Sequence, residues 1–323
     1  MKIRNIDFLK GILVLLVITG HVLQGSLSDN IFRYIIYSFH MPLFIGIAGY
    51  LISTDKLIQL SNWALVKKYC FRVVIPWSIA IVFYLLLLNY NSLPELSLKA
   101  FAGKIIRSFI SPYYHLWFIS SFIGWLFLTV VLLRFKIALK YILISSFFIS
   151  TFFYLLDSHI ISANFFGLKM LTKIVLHTFK PYFFFYFILG MYLRKFPVIF
   201  NIYINAALVV ILGIMQLLLF YYPFLYLELI SNIVFNLCLV QFLIVLASDN
   251  KLPNNKLLEW IGVNSLAIYL WHLVPIIDVK RVLGFDNMGL FYAVCFSLEI
   301  ILITSIYYVS KIKIVNKYFF GVN

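Results

Sequence analysis

Ten stretches of this chain stay apolar for long enough to cross the roughly 30 Å hydrocarbon layer of a bilayer. They are residues 6–24, 32–53, 74–90, 115–133, 141–156, 181–193, 199–221, 228–247, 257–277 and 289–310. A soluble chain of 323 residues has too little interior to hide that much apolar surface, with 64% of its residues hydrophobic and only 11% charged. The reading is an all-α, polytopic membrane protein of about ten transmembrane helices around a polar cavity. It forms a single transmembrane domain over 1–323, with no additional soluble domain.

The net charge of +15 would suggest nucleic acid in a soluble protein. Here the basic residues fall in short connectors, which is the signature of membrane topology instead, so no nucleic-acid partner is expected. With a cytoplasmic N-terminus, 17 of the 26 Lys and Arg residues lie on the inner side. That bias places both termini in the cytoplasm. The basic start resembles a signal peptide, but Asp7, His21 and the lack of a small-x-small cleavage site mark a retained first helix. Cys70, Cys238 and Cys295 are far apart and fit neither a disulfide framework nor a zinc site. Residues 97–110 space Lys99, Lys104 and Arg107 among apolar residues, as an interfacial amphipathic helix does.

The first apolar segment carries polar groups where lipid would tolerate none. Lys10 and His21 are eleven positions apart. On a helix that separation returns to within about 20° of the same direction after a rise of about 16 Å. Asp7 joins the same stripe, and Arg4 lies one turn earlier. His21 then falls near the outer end of the first helix, and His40 of "SFHMPLF" about 12 Å below the outer surface. His115 opens the fourth helix, and His272 of "LAIYLWH" lies in the outer part of the ninth. His159 and His177 belong to the outer connector 157–180. Any one of these residues is explained by a hydrogen bond to a neighbouring helix. Four imidazoles at matched depth point to a shared site, because ionisable groups inside a membrane face a cavity and mark a pathway.

On the inner side, Lys67, Lys68 and Arg72 precede Pro76, which is expected to start the third helix. They have two readings: ordinary positive-inside bias, or an anion site in which the Arg72 guanidinium suits phosphate. Ser265, Tyr269 and His272 share a helix face, as do Glu228, Asn232 and Asn236. For Asn232 and Asn236 the favoured role is packing between helices, and Gly46 and Gly49 allow another helix to approach.

Taken in order, "RNIDFLKGILVLLVITGH", "FHMPLFIGIAGYLI", "RVVIP", "HLWFI" and "SLAIYLWH" resemble acyltransferase family 3 of integral membrane proteins over nearly the whole chain. The "FHMPLF" wording is most similar to the branch of fucose-type and other sugar O-acetylases. The family's basic residue, followed by a histidine after ten intervening residues, corresponds to Lys10 and His21. Its RxxR pair before the third helix is represented by Arg72, with Tyr69 at the first arginine position and Lys68 adjacent.

The resemblance implies transfer of an acetyl group from acetyl-CoA to a hydroxyl of an extracytoplasmic or cell-surface glycan, without a metal. His21 is then the general base or a transient acyl carrier, since an imidazole suits proton removal from a sugar hydroxyl near neutral pH. His40 orients the acceptor and Asp7 lines the same conduit. Lys10, Arg4, Arg72 and Lys68 serve the anionic donor, while His115, His272, Ser265 and Tyr269 bind the acceptor. The rival reading is a transporter or flippase of a lipid-linked saccharide. Internal repeats and paired broken helices in matching halves would favour it, and the sequence shows neither.

Overall fold

The structure is a computed structural model that describes residues 4–91, 97–158, 169–197, 201–284 and 287–321. In chain order its helices are α1 (Arg4–Val22), α2 (Ile31–Tyr50), α3 (Thr54–Gln59), α4 (Asn62–Tyr69), α5 (Ile75–Asn89), α6 (Leu98–Ile110), α7 (Trp117–Arg134), α8 (Leu139–Asp157) and α9 (Lys169–Phe179). They continue with α10 (Phe184–Lys195), α11 (Ile202–Tyr221), α12 (Leu225–Ser248), α13 (Lys256–Val263), α14 (Ser265–Trp271), α15 (Leu273–Leu283), α16 (Met288–Val309) and α17 (Lys313–Tyr318). Among the described residues, eight helices are long and apolar enough to cross a membrane, or nine if one bent pair counts as a span. The chain is an integral membrane protein of the all-α class.

Three expectations need correction. Residues 181–193 form the twelve-residue α10 behind a 3-10 turn at Pro181–Phe183. Alone, α10 reaches about 18 Å, short of a bilayer. Its residues Phe184 to Leu189 are buried. The segment at 257–277 is not one straight helix: it bends by 67° between Val263 and Ser265. There the Asn264 amide donates to the Trp260 carbonyl at 2.9 Å. This is the one such break among the described residues, and no matching break accompanies it.

Nor does Pro76 start the third helix. The helical run begins at Asn62 and passes through a π-turn at Cys70–Val74 before α5. Proline has no N–H to return to the preceding turn, and the wider turn just before Pro76 absorbs that loss.

The fold divides into two compact units. Unit 1 contains residues 1–52 and 189–311, and unit 2 contains 53–188 and 312–323. In unit 1, α1 packs closely on α13. A Cβ added at Gly262 would strike the Asp7 carbonyl oxygen, and one at Gly11 the Leu258 carbonyl oxygen. Lacking side chains there, the two backbones touch directly, as small residues permit between membrane helices. Gly46 has the packing role expected of it, since its carbonyl oxygen meets the position where Gly190 of α10 would carry a Cβ.

In unit 2, the Ser120 and Ser121 hydroxyls of α7 both donate to the Thr178 carbonyl at 2.9 and 3.1 Å. The Ser150 hydroxyl of α8 donates to the Pro181 carbonyl at 2.9 Å. These bonds satisfy backbone groups where α9 ends and the 3-10 turn starts. Residues 98–110 are helical as expected, and the Lys104 ammonium of α6 donates to the Asn89 side chain at 2.8 Å.

Candidate active site

The α1–α2 hairpin builds the site. Residues 23–30 connect the two helices, so His21 at the end of α1 and Arg33 in the first turn of α2 lie at the same end of the hairpin. Asn30 fixes the corner: its side-chain oxygen accepts from the Arg33 backbone N–H at 3.1 Å, and its amide donates to the Gln24 carbonyl at 3.1 Å. From that corner, Arg33, Tyr37 and His40 follow at i, i+4 and i+7 on one face of α2.

Within unit 1 three of the expected histidines meet. The His21 ring is 5.2 Å from His272 and 6.4 Å, edge-on, from Tyr37. Tyr37 is 5.0 Å from His40, and Tyr269 is 6.1 Å from His272. Tyr37 is therefore the ring that joins His21 to His40. His40 and His272 are buried, and His21 and Tyr37 are half-buried.

Two of the imidazoles are oriented by backbone. His40 Nδ1 is 2.6 Å from the Ile36 carbonyl, and His272 Nδ1 is 2.8 Å from the Tyr269 carbonyl. A carbonyl oxygen only accepts, so in both rings Nδ1 carries the proton. In the neutral ring Nε2 then holds the lone pair.

A proline sets this stretch of α2. Pro42 has no N–H to offer the Ser38 carbonyl four residues back. Asn236 of α12 supplies the donor instead at 2.8 Å, with Asn232 at 3.4 Å. The packing role expected of both asparagines is what the structure gives them.

At the other end of α1, the Lys10 ammonium pairs with the Asp7 carboxylate at 3.2 Å. Asp7 precedes His21 by fourteen residues, or about 21 Å along the axis, so it lies far from the imidazoles. The side chain of Arg4 lies outside the described residues, as does His159. Ser265 is buried at the start of α14, two turns before His272.

The remaining candidates belong to unit 2. His115 is buried, edge-on to Tyr84 at 5.6 Å, and the neighbouring Leu116 carbonyl accepts from the Trp77 indole at 3.0 Å. His177 lies in α9. Lys68 and Arg72 are exposed one turn apart, and Arg72 sits in the π-turn. The Lys68 ammonium lies 5.4 Å from the Tyr69 ring. The C-terminal helix α17 adds a cation here. The Lys317 ammonium is 5.1 Å from the Phe71 ring, which in turn is 6.4 Å from Tyr318.

Sequence reasoning missed Arg33, Tyr37 and Lys317. The first two had a readable signal, because their spacing puts them on His40's face. Lys317 is 245 residues from Arg72, and only the folded chain brings it to Phe71.

Residues 3–309 match the family model for the acyltransferase domain of acyltransferase family 3. The chain is 31% identical over 152 residues to the nodulation protein NolL of Sinorhizobium fredii (strain NBRC 101917 / NGR234), covering 43% of this chain and 39% of that protein. It is 31% identical over 134 residues to the nodulation protein NolL of Mesorhizobium japonicum (strain LMG 29417 / CECT 9101 / MAFF 303099), covering 39% of this chain and 35% of that protein. Each match spans less than two thirds of the relative's own length. No solved structure matches the chain.

Proposed function

The chain belongs to acyltransferase family 3, and on that premise we propose that it is a membrane O-acetyltransferase that moves acetyl from acetyl-CoA to a hydroxyl of an extracytoplasmic glycan. The observation that carries this reading is the run of ring contacts in which Tyr37 joins His40 to His21 and His21 in turn meets His272. A sugar hydroxyl is a weak nucleophile and needs a positioned base, and three imidazoles on separate helices supply a base with two orienting partners.

In this mechanism His21 takes the proton as the hydroxyl oxygen attacks the thioester carbonyl. The carbon–sulfur bond breaks and the departing CoA sulfur receives that proton, so the reaction balances without a further acid. A covalent form of the same chemistry would place the acetyl on His21 first. The lone pairs on Nε2 of His40 and His272 accept hydrogen bonds from acceptor hydroxyls and so orient the sugar. Tyr269 and Ser265 extend that surface, and His115 has a secondary acceptor role. Arg72, Lys68, Lys10 and Arg4 serve the donor's phosphates, with Lys317 beside Phe71 as an added cation. Asp7 holds Lys10 in place on the donor side.

The setting proposed is the bacterial cytoplasmic membrane with both termini in the cytoplasm. That topology needs an even number of crossings. Eight long spans give one; the bent α13–α15 pair and the short, buried α10 counted together give ten.

Nuclear magnetic resonance of the host's surface glycan tests the reading, comparing the intact gene, a deletion and His21→Ala. Loss of the same O-acetyl signals in both variants is expected. Unchanged signals in both would overturn the enzyme reading for this glycan.

A further inference from the structure

Arg33 is a cation that forms no ion pair with an acid among the described residues, placed beside the histidine cluster. Its Cζ lies 5.2 Å from the Tyr37 ring centroid, and Tyr37 is the ring that joins His21 to His40. One guanidinium nitrogen, Nη1, donates to the Gly25 carbonyl. A second, Nε, is buried and has no partner among the described residues. Two carboxylates whose hydrogen bonds involve residues close to Arg33 in sequence have other partners. Asp29 accepts from the Ser26 and Ser28 hydroxyls, and Glu228 accepts from the Tyr34 hydroxyl at 3.4 Å.

The position also runs against electrostatic preference. Arg33 lies in the first turn of α2, where the helix dipole favours negative charge and a cation is disfavoured. Burying a guanidinium N–H without an acceptor carries a further cost. Both terms reverse when an oxyanion docks there: Nε gains its acceptor, and the positive potential of guanidinium and helix start becomes favourable. The rigid planar fork of arginine suits carboxylate and phosphate in particular.

Resting on the acetyltransferase reading, we infer that Arg33 binds an oxyanion, a carboxylate or a phosphate, carried by the acceptor close to the hydroxyl that is acetylated. The acceptor is thus an acidic saccharide or one still joined to a lipid diphosphate, and not a neutral free glycan. Tyr37 provides the wall between the anion subsite and the imidazoles, so the acid group and the reacting hydroxyl belong to the same or adjacent sugar residues.

The test begins with the repeat unit that loses O-acetyl in the gene deletion, isolated from deletion cells as acceptor. Purified protein in liposomes is given acetyl-CoA and that acceptor in three forms: native and lipid-diphosphate-linked, with its carboxylates reduced to alcohols, and with the lipid diphosphate removed. Loss of activity by about tenfold in KM on carboxylate reduction assigns the anion to the sugar, and the same loss on removal of the diphosphate assigns it to the lipid carrier. In either case Arg33→Gln raises the acceptor KM about tenfold and abolishes discrimination between the charged and neutral forms. Arg33→Lys retains part of that discrimination, and the KM for acetyl-CoA stays within about twofold in both variants.

A wild-type enzyme that treats all forms alike, or an Arg33→Gln enzyme that still discriminates, would overturn the inference. A deletion that removes no O-acetyl group would instead strike the acetyltransferase reading itself.

Discussion

Asn236 on α12 donates its side-chain amide to the Ser38 carbonyl of α2 at 2.8 Å, and that carbonyl is the one Pro42 leaves without a helical donor. The proline and the asparagine are two halves of one device. It opens the α2 ladder two residues before His40 and closes it from a neighbouring helix, with His40 bonded back to Ile36.

The pair is therefore coupled. Asn236→Leu removes the donor while Pro42 still withholds its own, and stability falls by about 1 kcal/mol, the usual scale for a polar contact between membrane helices. In the Pro42→Ala background the helix supplies the donor itself, and the same Asn236→Leu change costs much less. A double-mutant cycle on thermal unfolding in detergent measures the difference. Equal costs in the two backgrounds would show that Asn236 does not answer for Pro42.

A second contrast concerns glycines. Gly262 meets the Asp7 carbonyl and Gly11 the Leu258 carbonyl across the α1–α13 crossing, whereas a Cβ at Gly103 of α6 meets nothing within 4 Å. Gly262→Ala and Gly11→Ala force the two backbones apart, and each lowers stability by about 1–3 kcal/mol through overpacking. Gly103→Ala does the reverse, gaining up to about 1 kcal/mol from helix propensity alone. Thermal melts of the three variants in one detergent decide it. If Gly262→Ala proved as harmless as Gly103→Ala, the close crossing would be refuted.

The fold class and much of the site were legible because lipid imposes a strict pattern. Apolar length revealed the spans, and polar residues inside them revealed the cluster, since hydrocarbon tolerates His21, His40 and His272 only where something receives them. Asn232 and Asn236 read correctly as packing residues for the same reason. The bend near Asn264 was not legible, because residues 257–277 keep their apolar character across it. The extension of the third helix back to Asn62 was hidden by Pro76, whose usual place is a helix start. The place of Arg33 beside Tyr37 depends on the α1–α2 corner, which the spacing of residues alone does not reveal.

The donor side of the proposal turns on unit 2. Arg72 and Lys68 stand on consecutive turns, and Lys317 covers Phe71 beside them. If these cations hold the donor's phosphates, Arg72→Ala raises the KM for acetyl-CoA about tenfold or more with the acceptor KM nearly unchanged. Lys317→Ala raises it several-fold, and both effects shrink as salt screens the exposed charges. Initial rates at low and physiological ionic strength, with each substrate varied in turn, provide the check. Equal effects on both substrates would remove Arg72 and Lys317 from donor binding.

The imidazoles allow a finer dissection than alanine. His40 Nδ1 donates to the Ile36 carbonyl, and an asparagine amide at the same position can approximate that donor while offering nothing at the Nε2 position. A glutamine amide reaches toward the Nε2 position instead and forfeits the backbone bond. If His40 orients the acceptor through its Nε2 lone pair, His40→Asn keeps the fold and loses acetyl transfer by about ten- to a hundredfold, while His40→Gln retains more activity with lower stability. His21→Gln, lacking a base altogether, falls by about 10²–10⁴-fold with donor binding intact. Rates and melting temperatures measured on the same preparations separate the two effects. A His40→Asn enzyme as active as the parent would confine His40 to the packing of α2, leaving His21 and His272 as the imidazoles that meet the substrate.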